Sequence, residues 1–321
     1  MLEMLIQCKS KHYFLIIQTF LLEDITFFCT FVAKPYLDTI FKIENMIMTK
    51  KLLLSLVAIA TVTTGSAQQT SDAHHRQLVL YYSETGATKT VAQELQKQLE
   101  ADVEAVEAVE PYTGNFQETI ERSRRERESG QTPALKPLTK KISDYDVIFL
   151  GYPIWFGTYA LPIATLVKEY DFAGKTIVPF CTFGSGGLNT SSADLEKALP
   201  KAKVQKGYGV RNARVAAAAK ELDRFLKENG YKKGSVSKLP DYSDQKPVTA
   251  EERAIFDAAC SSYQFPLGTP QTVGKRQTPD GTDYQFTVKS RGMNGEEAVS
   301  TIFVTVGKSP NAKPEFTEVV R

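Results

Sequence analysis

The chain has 321 residues, of which 42% are hydrophobic and 24% are charged, and these fractions are those of a folded globular protein. Its formal net charge of +2 gives no basic excess of the kind that nucleic-acid-binding proteins use, so we expect no nucleic-acid partner. The length is sufficient for two domains.

The N-terminal region has the pattern of an export signal. Two lysines, Lys50 and Lys51, precede an apolar run over 52–62, and small residues up to Ala67 follow at the position of a cleavage site. The run is shorter than the about 20 residues that a membrane-spanning helix needs. The sequence therefore predicts a signal peptide over 48–67 and an exported protein, periplasmic or extracellular, whose mature chain has no stable membrane span.

A further 47 residues precede the signal pattern, although a signal peptide normally begins a chain. We interpret residues 1–47 as an over-extended start, with translation beginning at Met48 or two residues earlier. The alternative is a membrane segment over 13–33, which the adjacent carboxylates of Glu23 and Asp24 would make costly.

Between residues 77 and 231, apolar runs of strand length alternate with helical periodicity. The predicted strands cover 77–82, 103–109, 146–151, 176–183 and 203–208, and the predicted helices cover 88–99, 115–128, 162–170, 191–199 and 213–228. Five strands separated by helices predict an open parallel α/β sheet with helices on both faces. Ligands of such sheets bind at the carboxyl ends of the strands, so the loops after the first, third and fourth strands are the candidate sites.

The first of these loops reads SETGAT and leads directly into a helix. Ser83, Thr85 and Thr88 offer hydroxyl groups, Gly86 permits close backbone approach, and the helix that begins near Ala87 supplies unpaired N–H groups. The spacings of the P-loop and of the G-x-G-x-x-G fingerprint are both absent. A terminal monophosphate is the ligand that fits best, and the alternative is a plain helix cap by Ser83 or Thr85.

The stretch VLYYSETGATKTVA, residues 79–92, resembles the phosphate-loop signature of flavodoxins. Two apolar residues, an aromatic residue, and then Ser, Gly, Thr and Ala follow at the family's spacing. The resemblance extends over 77–231. It implies a flavodoxin-like domain, with an open five-stranded parallel sheet of order 2-1-3-4-5 that binds FMN without a covalent bond.

The second loop reads PIWFG. A flavin ring needs flat apolar walls and backbone groups aimed at its polar edge, and Pro153, Ile154, Trp155, Phe156 and Gly157 can supply both. Trp155 is the only tryptophan of the chain. Its alternative role is packing in the core, but its position after the third strand favours contact with the flavin.

The third loop reads TFGSGG and follows the fourth strand. Its glycines let a backbone approach a ligand closely, although they are equally compatible with plain turns. In the flavodoxin resemblance this loop meets the pyrimidine edge of the flavin. The candidate contacts are Thr182, Phe183, Gly184, Ser185, Gly186 and Gly187.

The amino-acid sequence of residues 145–187 is similar to that of the NAD(P)H-dependent flavodoxin-type oxidoreductases. This subgroup implies FMN-dependent electron transfer with NAD(P)H or a redox protein as partner. Two features depart from the electron carriers of the family, since the mature chain is near neutral and Gly187-Leu188 stands where an acidic residue and a tyrosine are common. We identify no protein catalytic residue and no metal cluster, and whether the protein is an enzyme stays open.

Residues 232–247 have the composition of a linker, and the pattern beyond them differs from that of the first domain. One predicted helix, 250–263, precedes four predicted strands. These strands cover 271–277, 282–290, 298–306 and 315–320. Residues 248–321 are thus predicted to form a small α+β domain with an antiparallel sheet.

The stretch QTPDGTDYQFTV resembles the central hairpin of cystatins, because Gln277 and Gly281 have the Q-x-V-x-G spacing. Pro279 stands where that motif has an aliphatic residue. The resemblance implies a cystatin-like module. The alternative function is therefore a non-enzymatic binding protein whose C-terminal module binds a protein partner or inhibits a cysteine protease. Cys181 and Cys260 fall in different predicted domains, and we expect both to be free thiols.

Overall fold

The computed structural model of the protein describes residues 76–113, 115–291 and 296–320. The predicted over-extended start, 1–47, and the predicted signal peptide, 48–67, lie outside these residues. The described residues fall within one compact unit.

The secondary structure consists of a first part in which strands and helices alternate and a second part rich in antiparallel strands. The strands are β1 Gln77–Tyr81, β2 Asp102–Ala105, β3 Val147–Trp155, β4 Thr158–Tyr159, β5 Thr176–Phe183, β6 Lys203–Val204, β7 Tyr208–Arg211, β8 Lys246–Pro247, β9 Thr269–Thr278, β10 Gly281–Arg291, β11 Glu297–Gly307 and β12 Glu315–Val320. The α-helices are α1 Ala87–Leu99, α2 Phe116–Ser129, α3 Leu161–Glu169, α4 Leu188–Ala198, α5 Ala218–Glu228 and α6 Ala250–Cys260.

The first part is an α/β parallel sheet with both faces covered, as the sequence predicts. Its strands follow the order β2-β1-β3-β5-β6, while β7 also pairs with β5 and the short β4 pairs with β3. Side chains of β1 alternate between the two faces, since Leu78 and Leu80 enter one buried cluster and Val79 and Tyr81 enter the other. Burial on both faces explains why β1 reads as a continuous apolar run.

The predicted fifth strand, 203–208, is instead two short strands on the same edge of β5. β6 pairs with Thr176 and Ile177, and β7 pairs from Phe180 onward. The interruption lies opposite Val178 and Pro179. Proline has no N–H group to donate to a neighbouring strand, so the pairing stops there and resumes with its register shifted by one residue.

Two predicted helices begin at other residues than the sequence suggested. Helix α4 begins at Leu188 after Gly187, three residues before the predicted start at Ser191. The predicted helix 213–228 begins as a 3₁₀ segment, Asn212–Ala217, and becomes α-helical at Ala218.

The second part is an antiparallel sheet of order β12-β11-β10-β9-β8 with helix α6 packed against it. Phe256 of α6 contacts Phe286 of β10 with ring centroids 5.2 Å apart, and both are buried. Helix α6 begins with a capping box in which Thr249 and Glu252 exchange hydrogen bonds between side chain and backbone. Residues 246–247 of the predicted linker form β8, the edge strand of this sheet.

Within the described ranges, no helix is long and apolar enough to cross a membrane.

Candidate functional site

The loop after β1 leads into the N-terminus of α1, where the N-cap residue has no side chain to cap the helix. Gly86 is the N-cap residue, and its φ of 91° is left-handed, a conformation that glycine adopts without strain. A Cβ atom placed on Gly86 would meet no atom within 4 Å, so the space in front of the helix is open. Ser83 partly fulfils the predicted capping role, because its Oγ accepts the N–H of Lys89 at 3.1 Å. Thr85 is exposed beside it.

Thr88 is directed away from this open space. Its Oγ1 lies 2.8 Å from Oγ1 of Thr182 in the third loop, and each residue is 1% exposed. Of the three predicted hydroxyl donors of loop one, Ser83 and Thr85 thus line the surface, whereas Thr88 joins the first loop to the third.

The second loop is largely ordered strand. β3 continues through Pro153 and Ile154 to Trp155, and it turns back through two residues into β4, which pairs with it. Phe156 and Gly157 form the turn with φ values of 52° and 82°. Both values are left-handed, as tight two-residue hairpin turns require, and such a φ is strained for phenylalanine. Phe156 is nevertheless 46% exposed, so the turn presents an aromatic ring at the surface.

The Trp155 side chain is buried in an aromatic cluster. Its ring centroid lies 5.7 Å from that of Tyr82 and 5.0 Å from that of Tyr112, both edge to face. The Tyr82 hydroxyl donates to Glu84 at 2.5 Å, and the guanidinium of Arg122 lies over the Tyr112 ring at 4.1 Å. Burial raises the pKa values of Tyr82 and Tyr112, and hydrogen bonds to the carboxylates of Glu84 and Glu126, respectively, raise them further, so both hydroxyls stay protonated. Trp155 packs here as the core alternative expected, and the exposed aromatic ring of this loop belongs to its neighbour.

The third loop contacts the second directly. Phe183 is buried, Gly184 is exposed, and the three residues after it are half-buried. Gly187 has a left-handed φ of 126° and precedes α4 as its N-cap. A Cβ atom on Gly187 would lie 2.8 Å from Cγ2 of Ile154, so only glycine lets these two loops pack. Gly184, in contrast, has open space around it.

The C-terminal sheet covers part of the third loop. The N–H of Val319 in β12 donates to the carbonyl oxygen of Ser185 at 2.8 Å. A Cβ atom on Gly186 would lie closer than 3.0 Å to the Val319 carbonyl oxygen. The glycine therefore permits a close backbone approach, as the sequence suggested, but the backbone that approaches it is that of β12.

Arg211 fixes β12 in this position. Its Nε donates to the carbonyl oxygen of Gly184 at 2.8 Å, and its Nη1 donates to that of Phe316 at 3.0 Å. The guanidinium also lies 4.1 Å from the centroid of the Phe316 ring. Burial lowers the pKa of Arg211 from its ordinary value. Nothing in the sequence around Arg211 or Phe316 indicated this contact.

Two cavities lie at these loops. A cavity of about 430 Å³ adjoins loop one and is lined by Tyr82, Ser83, Gly86, Lys89 and Tyr112 among others. A second cavity of about 200 Å³ adjoins loop three, and the two share no lining residue. The second is lined by Gly157, Ser185, Gly186, Gly187, Asn189, Thr190, Glu318, Val319 and Val320.

Glu318 is the titratable residue of the second cavity. Burial raises its pKa to about 7, and the described side chains offer it neither a hydrogen bond nor an ion pair. Burial also raises the pKa of the Cys181 thiol well above its usual value, with a smaller contribution from the charge of Glu318. Cys181 and Cys260 are both free, as expected. No group of three or more His, Cys, Asp or Glu side chains within the described ranges could hold a metal ion.

An FMN phosphate fits the residues of loop one, because the helix N-terminus at Gly86, the Ser83 hydroxyl and the open space at Gly86 lie together. The space available to a flavin ring at loop three is more confined, because β12 already covers Gly186. Any ring placed against loop three therefore also contacts the C-terminal sheet.

Residues 76–228 match the family model described as flavodoxin, which is just under half of the chain. No curated protein matches. Similar solved structures include a flavoprotein of Bacteroides eggerthii DSM 20697, with 29% identity, 46% of this chain and 98% of that chain covered, and a TM-score of 0.40.

A flavoprotein of Bacteroides uniformis ATCC 8492 has 27% identity over 46% of this chain and 98% of its own, with a TM-score of 0.42. A flavoprotein of Lactobacillus acidophilus NCFM, solved in complex with FMN, has 21% identity over 45% of this chain and 99% of its own, with a TM-score of 0.38.

Proposed function

We propose that the flavodoxin-like part of the chain binds FMN at the carboxyl edge of the parallel sheet and transfers electrons. The observation that carries this proposal is the α1 N-terminus, whose N-cap residue is Gly86 and which opens there into free space at this edge. The match of 76–228 to the flavodoxin family model supports it.

The phosphate end of the site is formed by loop one. Backbone N–H groups of the first turn of α1, with Ala87 at its start, point toward an anion placed beyond Gly86, and the helix dipole favours negative charge there. Ser83 and Thr85 add hydroxyl donors. Thr88 acts indirectly, because its hydrogen bond to Thr182 holds the helix start against the third loop.

The ring end of the site is formed by the other two loops. The exposed Phe156 ring and the adjoining Gly157 supply an apolar wall, and the backbone of Gly184 to Gly187 faces the polar edge of the ring. When bound, FMN accepts and donates one or two electrons, and the protein positions it and tunes its potential. NAD(P)H or a redox protein is the electron donor that we propose.

Comparison of FMN with riboflavin tests this assignment. We expect the purified full chain to quench the fluorescence of FMN with micromolar or tighter affinity. Riboflavin lacks the phosphate, so the double variant Ser83→Ala with Thr85→Ala should weaken FMN binding and leave riboflavin binding unchanged. Absence of FMN binding to the wild-type protein would refute the proposal. An equal loss for both ligands would place the phosphate elsewhere.

We also propose that the protein is exported through the signal peptide at 48–67. The basic start at Lys50 and Lys51 and the short apolar run after it support this. N-terminal sequencing of the protein from its native compartment should give a chain that begins after Ala67. Recovery of a cytoplasmic chain that retains residues 48–67 would contradict export.

The alternative role, protein binding by a cystatin-like module, is supported by the order of helix α6 followed by an antiparallel meander. The hairpin that carries the Gln277 to Gly281 motif is not free, however, because Asp280 at its turn forms an ion pair with Lys220 of α5. We therefore rank protease inhibition second. An inhibition assay of the full chain against a papain-like protease tests it, and strong inhibition would reverse the ranking.

A further inference from the structure

Glu318 is placed on the side of β12 that faces the third loop. Phe316 and Val319 of the same strand enter the core of the C-terminal sheet, and the register between β11 and β12 shifts at Phe303. Glu318 instead lines the cavity at loop three, and its Cγ would lie 3.4 Å from a Cβ atom placed on Gly186. This carboxyl group thus belongs to the C-terminal sheet but adjoins the loop that faces the flavin ring.

Among the residues that the structure describes, the surroundings of Glu318 offer it no counter-charge. On its other side Glu318 lines a cavity between the C-terminal sheet and α5. Each cation there already has a carboxylate partner, since Arg214 pairs with Glu221 and Glu315, Lys220 with Asp280, Arg224 with Glu228, and Arg276 with Asp283. From β5, only the protonated Cys181 thiol interacts with the carboxyl group.

A half-buried carboxyl group without a partner costs free energy, and such groups concentrate at functional sites. The cavity that it adjoins is also lined by Ser185, Gly186 and Gly187 and by the polar residues Asn189 and Thr190. These residues carry amide and hydroxyl groups of the kind that a planar heterocycle with alternating carbonyl and N–H groups can satisfy. The C-terminal sheet is held against them by the hydrogen bonds of Arg211 and Val319, so it is a fixed wall.

We propose that Glu318 is a residue of the flavin site, contributed by the C-terminal sheet, and that it contacts the polar edge of the ring in its protonated form. The proposal rests on the FMN-binding function proposed above. A protonated carboxyl group donates one hydrogen bond and accepts another, which suits an edge that carries both kinds of group. Ring binding displaces water from the carboxyl group and so further favours its neutral form.

The proposal is tested by the pH dependence of ligand binding. Affinities for FMN and for riboflavin are measured at pH 6, 7 and 8 for the wild-type full chain, for Glu318→Gln and for the control Glu196→Gln. Glu196 is exposed on α4, outside the residues that line the cavity. The FMN phosphate ionises near pH 6 in every sample, so the difference between variants isolates the effect of Glu318.

We expect wild-type affinity to fall roughly fivefold or more from pH 6 to pH 8 relative to Glu318→Gln, because ionisation of the carboxyl group opposes binding. The same difference should appear with riboflavin, since it arises at the ring. The Glu196→Gln protein should follow the wild type. In parallel, ¹³C NMR of the wild-type carboxyl groups should find one that titrates near neutrality and moves to higher pH when FMN is added.

Three results would overturn the proposal. Identical pH profiles of the wild type and Glu318→Gln would remove Glu318 from the site while leaving FMN binding intact. An effect on FMN without one on riboflavin would assign Glu318 to the phosphate end. Failure of the wild type to bind FMN at any pH would refute the proposed function, and this inference with it. The NMR titration needs no variant, so a poorly folding Glu318→Gln protein does not prevent the decision.

Discussion

The hydroxyl oxygens of Thr88 and Thr182 lie 2.8 Å apart in the buried space between helix α1 and the end of strand β5. The two residues are 94 positions apart in the chain. One hydrogen bond thus fixes the start of α1 relative to the glycine-rich third loop. Both ends of the proposed FMN site depend on this contact for their relative position.

Replacement of either threonine by valine keeps its shape and removes one hydroxyl. We expect Thr88→Val or Thr182→Val alone to lower the free energy of unfolding by about 1–3 kcal/mol, because the remaining buried hydroxyl loses its partner. The double variant should lose less than the sum of the two. Urea denaturation of the four proteins in a double-mutant cycle measures the difference. Strict additivity would mean that the hydrogen bond contributes nothing.

The parallel sheet could be predicted from the sequence because its signals are local. The predicted strand 176–183 coincides with β5, and the capping box of α2 at Asn115 and Glu118 lies where the sequence placed the helix start. The interruption opposite Pro179 was missed. Its cause lies in the neighbouring strand, and a pattern read along one segment contains no information about its neighbour.

The lining of the cavity at loop three could not be predicted for a related reason. Ser185 and Val319 are joined by a backbone hydrogen bond across more than a hundred residues, and neither side chain takes part in it. Glycines at 184, 186 and 187 signalled close approach without indicating what approaches. Likewise, Trp155 read as a loop aromatic because the continuation of β3 to that residue depends on the short partner strand β4.

The glycines of loop three allow a matched test of the contact with β12. Gly186→Ala should push against the Val319 carbonyl oxygen and destabilise the docked C-terminal sheet. Gly184→Ala adds the same methyl group where no atom lies within 4 Å, and its φ is not left-handed, so it should be nearly neutral. Amide hydrogen exchange at Val319 measures the effect, with faster exchange expected in Gly186→Ala only. Equal exchange in both variants would contradict the packing described for β12.

Arg211 links the two sheets through two backbone carbonyl groups and one aromatic ring. Arg211→Ala should remove the hydrogen bonds to the carbonyl oxygens of Gly184 and Phe316, at a cost of about 1.5–3 kcal/mol each, and should separate the unfolding of the two parts. Arg211→Lys retains the charge but cannot reach both acceptors with a planar fork, so we expect a smaller loss. Calorimetry should resolve two transitions in Arg211→Ala. A single unchanged transition would mean that the apolar contacts suffice to couple the sheets.

The two described thiols should differ in reactivity. Cys181 is fully buried at the end of β5, and burial raises its pKa well above the usual range. Cys260 is half-buried at the end of α6, and burial raises its pKa to about 12. At pH 8 both are protonated and poor nucleophiles, but only Cys260 is accessible to reagent.

Alkylation followed by peptide mass spectrometry should find slow labelling of Cys260 and labelling of Cys181 only after denaturation. Rapid labelling of Cys181 in the native protein would contradict its burial.

The pKa of Glu318 also makes stability depend on pH without any ligand. In the folded protein the pKa is about 7, whereas its usual value, expected in the unfolded chain, is 4.5. The folded state therefore binds a proton more tightly, so the stability from this group is complete below pH 4.5 and is lost as pH rises through 7.

The Glu318→Gln side chain cannot ionise, so at high pH this variant should be more stable than the wild type. We expect its melting temperature to gain roughly 5–10 °C on the wild type between pH 5 and pH 8, because a pKa shift of this size changes stability by about 2–3 kcal/mol over that range. Glu196→Gln should gain nothing over that range. If the difference in melting temperature between the wild type and Glu318→Gln stays constant from pH 5 to pH 8, the carboxyl group is solvated in the folded protein.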